Sequence, residues 1–196
     1  FGDKLFKIVG TIGTILGVVL ALLLFMYVPM LIVKGISYLV PLGGWKTVIE
    51  GIIKIIIFIL YLWGVSRLKD IRRTFEYHGA EHKSIACYEA GEELTVENIK
   101  KYRRFHPRCG TSFLLIVLVI SILVFSVVTW NSMLIRILLK IALLPVVVGI
   151  SYEIIRIAGR YDNIVTRIIS APGLWLQRLT TREPDASQIE VAIAAL

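Results

Sequence analysis

His78-Gly79-Ala80-Glu81-His82 sets two imidazoles four residues apart with a carboxylate between them, and His106-Pro107-Arg108-Cys109 follows about two dozen residues later. All three histidines and one of the two cysteines fall in these two runs. Residues at i and i+4 share one helix face, so His78 and His82 can chelate one divalent ion, with zinc the favoured metal. The order His-x-x-Glu-His is that of the inverted zinc-hydrolase motif, whose glutamate serves as base. Glu81 takes that part here. His106, Cys109 or Glu153 can complete the ligand set, with Glu153 or His106 the expected third ligand of a hydrolase site, and Arg108 or Arg156 can orient an anionic group. A cysteine at a helix start is favoured as a thiolate. The competing reading is a closed, structural zinc site made of His78, His82, His106 and Cys109.

On a helix over 68–90 with His78 at the origin, His82 falls at about 40°, Glu89 at about 20° and Glu81 at about −60°. Cys87 falls on the opposite side, which predicts core packing.

These residues must be carried by membrane helices. Hydrophobic residues make up 57% of the 196, and mean hydropathy is +0.78. Stretches 5–33, 48–65, 111–130 and 132–157 each approach or exceed the roughly 20 apolar residues a bilayer core requires. The expected fold is therefore all-α: a polytopic membrane protein of about four transmembrane helices. It divides into a first hairpin (1–65), a helical insert (66–110), a second hairpin (111–157), and an interfacial segment with a tail (158–196). The insert carries ten Lys or Arg between Arg67 and Arg108, and five more arginines run from Arg156 to Arg182. The opposite loops hold only Lys34 and Lys46. The positive-inside rule then makes the insert and both termini cytoplasmic. Topology and anionic lipid account for the net charge of +8, so no nucleic-acid partner is expected. Cytoplasmic thiols stay reduced, so no disulfide is expected. Phe1 is not a methionine, which suggests a preceding segment, and the first span is too long for a signal-peptide core.

Pro41-Leu42-Gly43-Gly44 and Trp130-Asn131-Ser132 are the expected hairpin turns. Gly91 should stop the first insert helix, and Thr95 should cap a second that runs to about Phe105. Residues 163–179 interleave Ile, Leu and Trp with arginine, as in a segment lying in the inner interface, with Pro172-Gly173 expected to break it. Glu50, Lys54, Arg136 and Lys140 are charges within spans. The expectation is one ion-paired cluster, which would make the second and fourth spans neighbours.

From Ser66 onward the chain resembles the YqhQ-type bacterial membrane proteins, a family of unknown function described as candidate metal-dependent enzymes. The resemblance rests on Phe75-Glu76-Tyr77-His78-Gly79-Ala80-Glu81-His82-Lys83, on His106-Pro107-Arg108-Cys109-Gly110-Thr111-Ser112-Phe113 and on Ser151-Tyr152-Glu153-Ile154-Ile155-Arg156. It also rests on Pro172-Gly173-Leu174-Trp175-Leu176-Gln177-Arg178-Leu179-Thr180-Thr181-Arg182-Glu183-Pro184 and on Glu190-Val191-Ala192. It implies a bacterial inner-membrane location and a single site grouping His78, Glu81, His82, His106, Cys109 and Glu153. Relatives carry a further Gly-rich, polar stretch before the first span.

The leading expectation is a metal-dependent hydrolase acting on a membrane-associated peptide or lipid, with membrane lipid as its surroundings and oligomers allowed. A scaffold or assembly factor with a structural zinc is the alternative. A transporter or metal sensor ranks third, because the first and third spans are nearly devoid of carboxylates.

Overall fold

The computed structural model describes residues 2–127, 133–161 and 163–196. Among these the protein is all-helical, and it divides into two compact units, Phe1–Phe58 and Ile59–Leu196.

In the first unit, α1 (Gly2–Leu22) continues through a π-helical turn, Leu23–Tyr27, into α2 (Val28–Leu39). The wider turn lies just ahead of Pro29, whose ring would otherwise press on the carbonyl of Phe25 four residues back. Thr11, Thr14 and Ser37 fold their hydroxyls onto carbonyls four residues earlier, so these three donors are not left facing an apolar surround. The helix ends at Leu39, and a short 3-10 turn, Gly43–Trp45, with Gly43 at φ +49°, leads into α3 (Lys46–Val65). Glu50 pairs within its own helix, 2.7 Å from Lys54. Of the other two charges expected in that cluster, Lys140 has its ammonium 5.5 Å from the Phe125 ring centroid. The Arg136 side chain lies outside the described residues.

Three described helical segments are long and apolar enough to cross a membrane: Lys4–Leu39, Gly43–Val65 and Leu138–Arg160. The third expected span appears as a 17-residue apolar helix, α6 (Gly110–Ser126). The rest of that span and the Trp130-Asn131-Ser132 turn lie outside the described residues.

The second unit begins at Ile59, within the last two turns of α3. Helix α4 (Lys69–Glu89) is stopped by Gly91, which sits at φ +73° as helix-ending glycines do. Thr95 caps α5 (Val96–Lys101) by accepting from the Asn98 N–H at 3.3 Å. This helix ends four residues before the expected Phe105, because the chain turns extended at Tyr102. Helix α7 (Met133–Arg160) then leads to α8 (Ile164–Thr180) and α9 (Ala186–Ala195). Both α8 and α9 open on capping boxes, Asn163 with Thr166 and Asp185 with Gln188. A small core of Ala80, Cys87, Ile99 and Ile189 joins α4, α5 and α9. Cys87 is fully buried there, and burial pushes its thiol up.

The expected break at Pro172-Gly173 does not occur: α8 is one helix through both residues. Gly173 lies so close to α6 that an added Cβ would sit 2.6 Å from the Ser112 side chain. Four residues on, the Gln177 amide donates to Ser112 Oγ at 2.9 Å. Packing thus holds the helix where local propensity would end it. The buried residues of α8 are Leu176 and four small or polar ones (Thr166, Gly173, Gln177, Thr180), while Ile164 and Ile168 are 72% and 66% exposed.

Candidate metal centre

Helix α4 presents His78 and His82 one turn apart, with ring centroids 4.3 Å apart. Cys109 stands at the N-cap of α6 and is buried. Each of the three offers one donor atom, and these atoms all lie within 4.8 Å of one another. His78 Nε2 is 3.4 Å from Cys109 Sγ.

What aims the imidazoles comes from elsewhere in the chain. His78 Nδ1 meets the Thr180 carbonyl at 2.8 Å, and His82 Nδ1 meets the Arg104 carbonyl at 2.7 Å. A carbonyl can only accept, so Nδ1 carries a proton in both rings; Nε2 offers its lone pair to an ion when the ring is neutral and donates to the Cys109 thiolate when the ring is protonated. A backbone carbonyl behind each imidazole is the usual way a metal-binding histidine is held in one tautomer.

Thr180 opens a segment, residues 180–184, that crosses α4 like a strap. The Arg182 N–H donates to the Phe75 carbonyl at 2.8 Å. Glu183 pairs with Lys83 at 2.7 Å and with Arg104 at 2.9 Å. Burial works against the ionised Glu183 carboxylate, but these two cations hold the group below its ordinary range. The crossing is possible because residue 79 is glycine, where a Cβ would collide with the Arg182 carbonyl oxygen.

Electrostatics favour the thiolate. Burial acts to raise the Cys109 pKa, but hydrogen bonds with His78, His82 and Thr111 outweigh it and bring the thiol down to about 5. The contact with Cys109 in turn raises His78. Thr111 Oγ1 lies 3.1 Å from the sulfur and 3.3 Å from Thr180 Oγ1, which ties the strap to the start of α6.

Two imidazole nitrogens and a thiolate are zinc donors, and a tetrahedral ion with ligand bonds of about 2.0 and 2.3 Å would separate nitrogen from sulfur by about 3.5 Å. The 3.4 Å between His78 Nε2 and Cys109 Sγ matches that span. With all three donor atoms within 4.8 Å of one another, the group could hold a metal ion.

The cluster opens into a cavity of about 290 Å³ lined also by Glu81, Ile85, Glu89, His106 and Arg108. Glu81 is exposed at its mouth. Glu89 holds Arg108 in a very short ion pair and lies 3.4 Å from His106 Nε2. His106 Nδ1 accepts the Arg108 backbone N–H at 3.3 Å, so both of its nitrogens are engaged. Burial lowers its pKa, and it stands beside His82 with ring centroids 5.8 Å apart. Its backbone is clamped by the fully buried Gln177 amide, which accepts from His106 N–H at 2.8 Å and donates to His106 C=O at 2.7 Å.

Of the expected site residues, the structure therefore groups His78, His82 and Cys109, with Glu81, His106 and Arg108 around the same cavity. Glu153 and Arg156 are not brought there. They are exposed on α7 and pair with each other at 3.2 Å. Sequence reading missed the positioning groups Thr180, Gln177, Arg104 and Gly79. Their roles depend on backbone atoms, which no side-chain pattern advertises.

An all-helical protein with membrane-length apolar helices and a His/His/Cys cluster on its central helical segment is the class that fold and site define. The chain belongs to the family described as "Protein of unknown function (DUF1385)", which it matches over residues 3–196. It is 38% identical over 170 residues to the "Uncharacterized protein YqhQ" of Bacillus subtilis (strain 168), a match covering 86% of this chain and 54% of that protein. The chain thus spans about half the length of the curated relative it matches. No solved structure matches.

Proposed function

We propose that this chain is a divalent-metal-dependent hydrolase, zinc being the favoured ion, that works at the cytoplasmic membrane surface on a peptide or lipid substrate. The observation that carries this reading is a three-donor cluster facing a cavity that also holds a carboxylate and a guanidinium. Three protein ligands with an accessible remaining position are the pattern of catalytic rather than structural zinc.

When bound, the ion supplies Lewis acidity toward the substrate's carbonyl or phosphoryl oxygen. His78 and His82 bind through the nitrogens opposite their carbonyl-bonded Nδ1 atoms, and Cys109 binds as the thiolate. Glu81 accepts the proton of the attacking water and returns it to the leaving group. Arg108, held by Glu89, orients an anionic part of the substrate. Glu153 and Arg156 have no part in this reading.

A structural zinc in a non-enzymatic scaffold would need a fourth protein donor. His106 is the nearest candidate, and both of its ring nitrogens are already engaged. That supports the open site.

Metal analysis of detergent-purified protein tests the reading. About one zinc per chain is expected, lost in His78→Ala, His82→Ala and Cys109→Ser and kept in Glu153→Ala. Glu81→Gln should keep the metal while turnover of fluorogenic peptide or phospholipid substrates falls by roughly 10²–10⁴. A metal-free wild type after chelator-free purification would overturn it and hand the site to the His78–Cys109 pair alone. Undiminished turnover in Glu81→Gln would remove the assigned base.

A further inference from the structure

A second and larger cavity, about 690 Å³, opens where α7 ends and α8 packs across it. Its volume lies within the range of about 300–1,000 Å³ typical of ligand sites. Four arginines line it: Arg103 from the loop after α5, Arg160 at the last residue of α7, and Arg167 and Arg178 from α8. Among the described residues, no carboxylate lines it. Guanidinium groups gathered on one cavity wall suit an anion, and the planar fork of arginine matches phosphate oxygens best.

Apart from Thr166 and Ser170 the rest of the wall is apolar and aromatic, with Tyr161 and Trp175 at the rim, 52% and 54% exposed. Arg160 lies over the Tyr161 ring at 5.7 Å. Along the same helix the exposed Ile164 and Ile168 continue the apolar surface. Arg160 also closes the membrane-length segment Leu138–Arg160. The arginines therefore sit at the end of an apolar helix, at the level of lipid headgroups, with tryptophan and tyrosine in the positions they favour at such interfaces.

We infer that this cavity binds the phosphate of an anionic phospholipid, with its acyl chains running down the apolar face of α8. A free phosphate ion shares the charge chemistry but has no use for the aromatic rim or the isoleucines. Basic pockets between membrane helices hold anionic headgroups by this combination of charge and interface depth. The site is separate from the metal centre. Residues 105–108 form the partition between them: Phe105 and Pro107 line the arginine cavity, and His106 and Arg108 line the metal cavity.

The test uses the whole chain in neutral detergent, with native mass spectrometry and tryptophan fluorescence as readouts. The titrants are dihexanoyl-phosphatidylglycerol, dihexanoyl-phosphatidylcholine and inorganic phosphate. The glycerol lipid should bind at least about tenfold more tightly than either alternative, and rising salt should weaken it. Arg160→Gln with Arg178→Gln should lose at least about tenfold in affinity for that lipid with helix content unchanged. The wild-type comparison decides the matter even if that double variant does not fold. Equal binding of inorganic phosphate would overturn the lipid assignment in favour of a free anion. Equal binding of phosphatidylcholine, or an indifferent double variant, would overturn the role of the arginines. None of these outcomes depends on metal content, so this inference and the hydrolase reading fail separately.

Discussion

Cys109 is the residue on which the chemistry of the site turns. Its thiol titrates at about 5 in the folded protein against an ordinary value of 9.0. Between those values the folded chain holds a thiolate and the unfolded chain a thiol, so unfolding takes up a proton. The contribution of Cys109 to the stability of the metal-free protein is therefore present above its ordinary value and lost as pH falls through about 5, while the raised His78 contributes in the opposite sense above the ordinary imidazole value. Alkylation by iodoacetamide should report a midpoint near 5 in the wild type, moving upward in His78→Ala, which removes a hydrogen bond that lowers the thiol. A midpoint left at the ordinary value in the wild type would refute the pairing. The candidate donors were legible in the sequence because they fall in two short runs. Which of them would meet was not. From sequence, Glu153 or His106 ranks ahead of Cys109 as the third ligand, and the choice depends on where α6 and α7 begin and end. His106 was unreadable for a different reason: its position is set by Gln177, 71 residues away.

Among the elements, the strap at residues 180–184 has the largest effect for its length. It carries the carbonyl that fixes His78 and the carboxylate that ties Arg104 to Lys83. Gly79→Ala should push it off α4, costing about 1–3 kcal/mol from overpacking and about 10–100-fold in metal affinity through the lost orientation of His78. A chelator-competition titration beside a thermal melt would measure both, and wild-type metal affinity in Gly79→Ala would show that the strap does not position the ligand. Gln177→Leu should leave the buried His106 N–H and carbonyl unpaired at about 1–3 kcal/mol each, which denaturant unfolding in detergent would register. Local signals read the helices well where caps and glycines end them, as at Thr95 and Gly91. They failed at Pro172, where contact with Ser112 overrides the proline. They also failed at residues 102–105, where the chain leaves the helix and turns extended toward the Gln177 clamp.

For the whole molecule, the apolar helices and the outward isoleucines of α8 point to a protein that stays with the membrane. It should remain in the pellet after alkaline carbonate extraction. The insert's orientation is read by labelling Glu93→Cys with a membrane-impermeant maleimide. Protection in intact cells and labelling after lysis are expected for a cytoplasmic insert, and labelling of intact cells would reverse the topology. The two carbonyls behind the histidines also set an order of events. Arg104 lies 22 residues past His82, and Thr180 lies 102 residues past His78. A nascent chain still short of Thr180 lacks the acceptor that fixes the His78 tautomer, however complete α4 already is. Capture of an ion in the proposed geometry would therefore follow synthesis of the strap, after the described membrane-length helices have been made, and a ribosome stalled before the strap would release a chain with both histidines and no formed site.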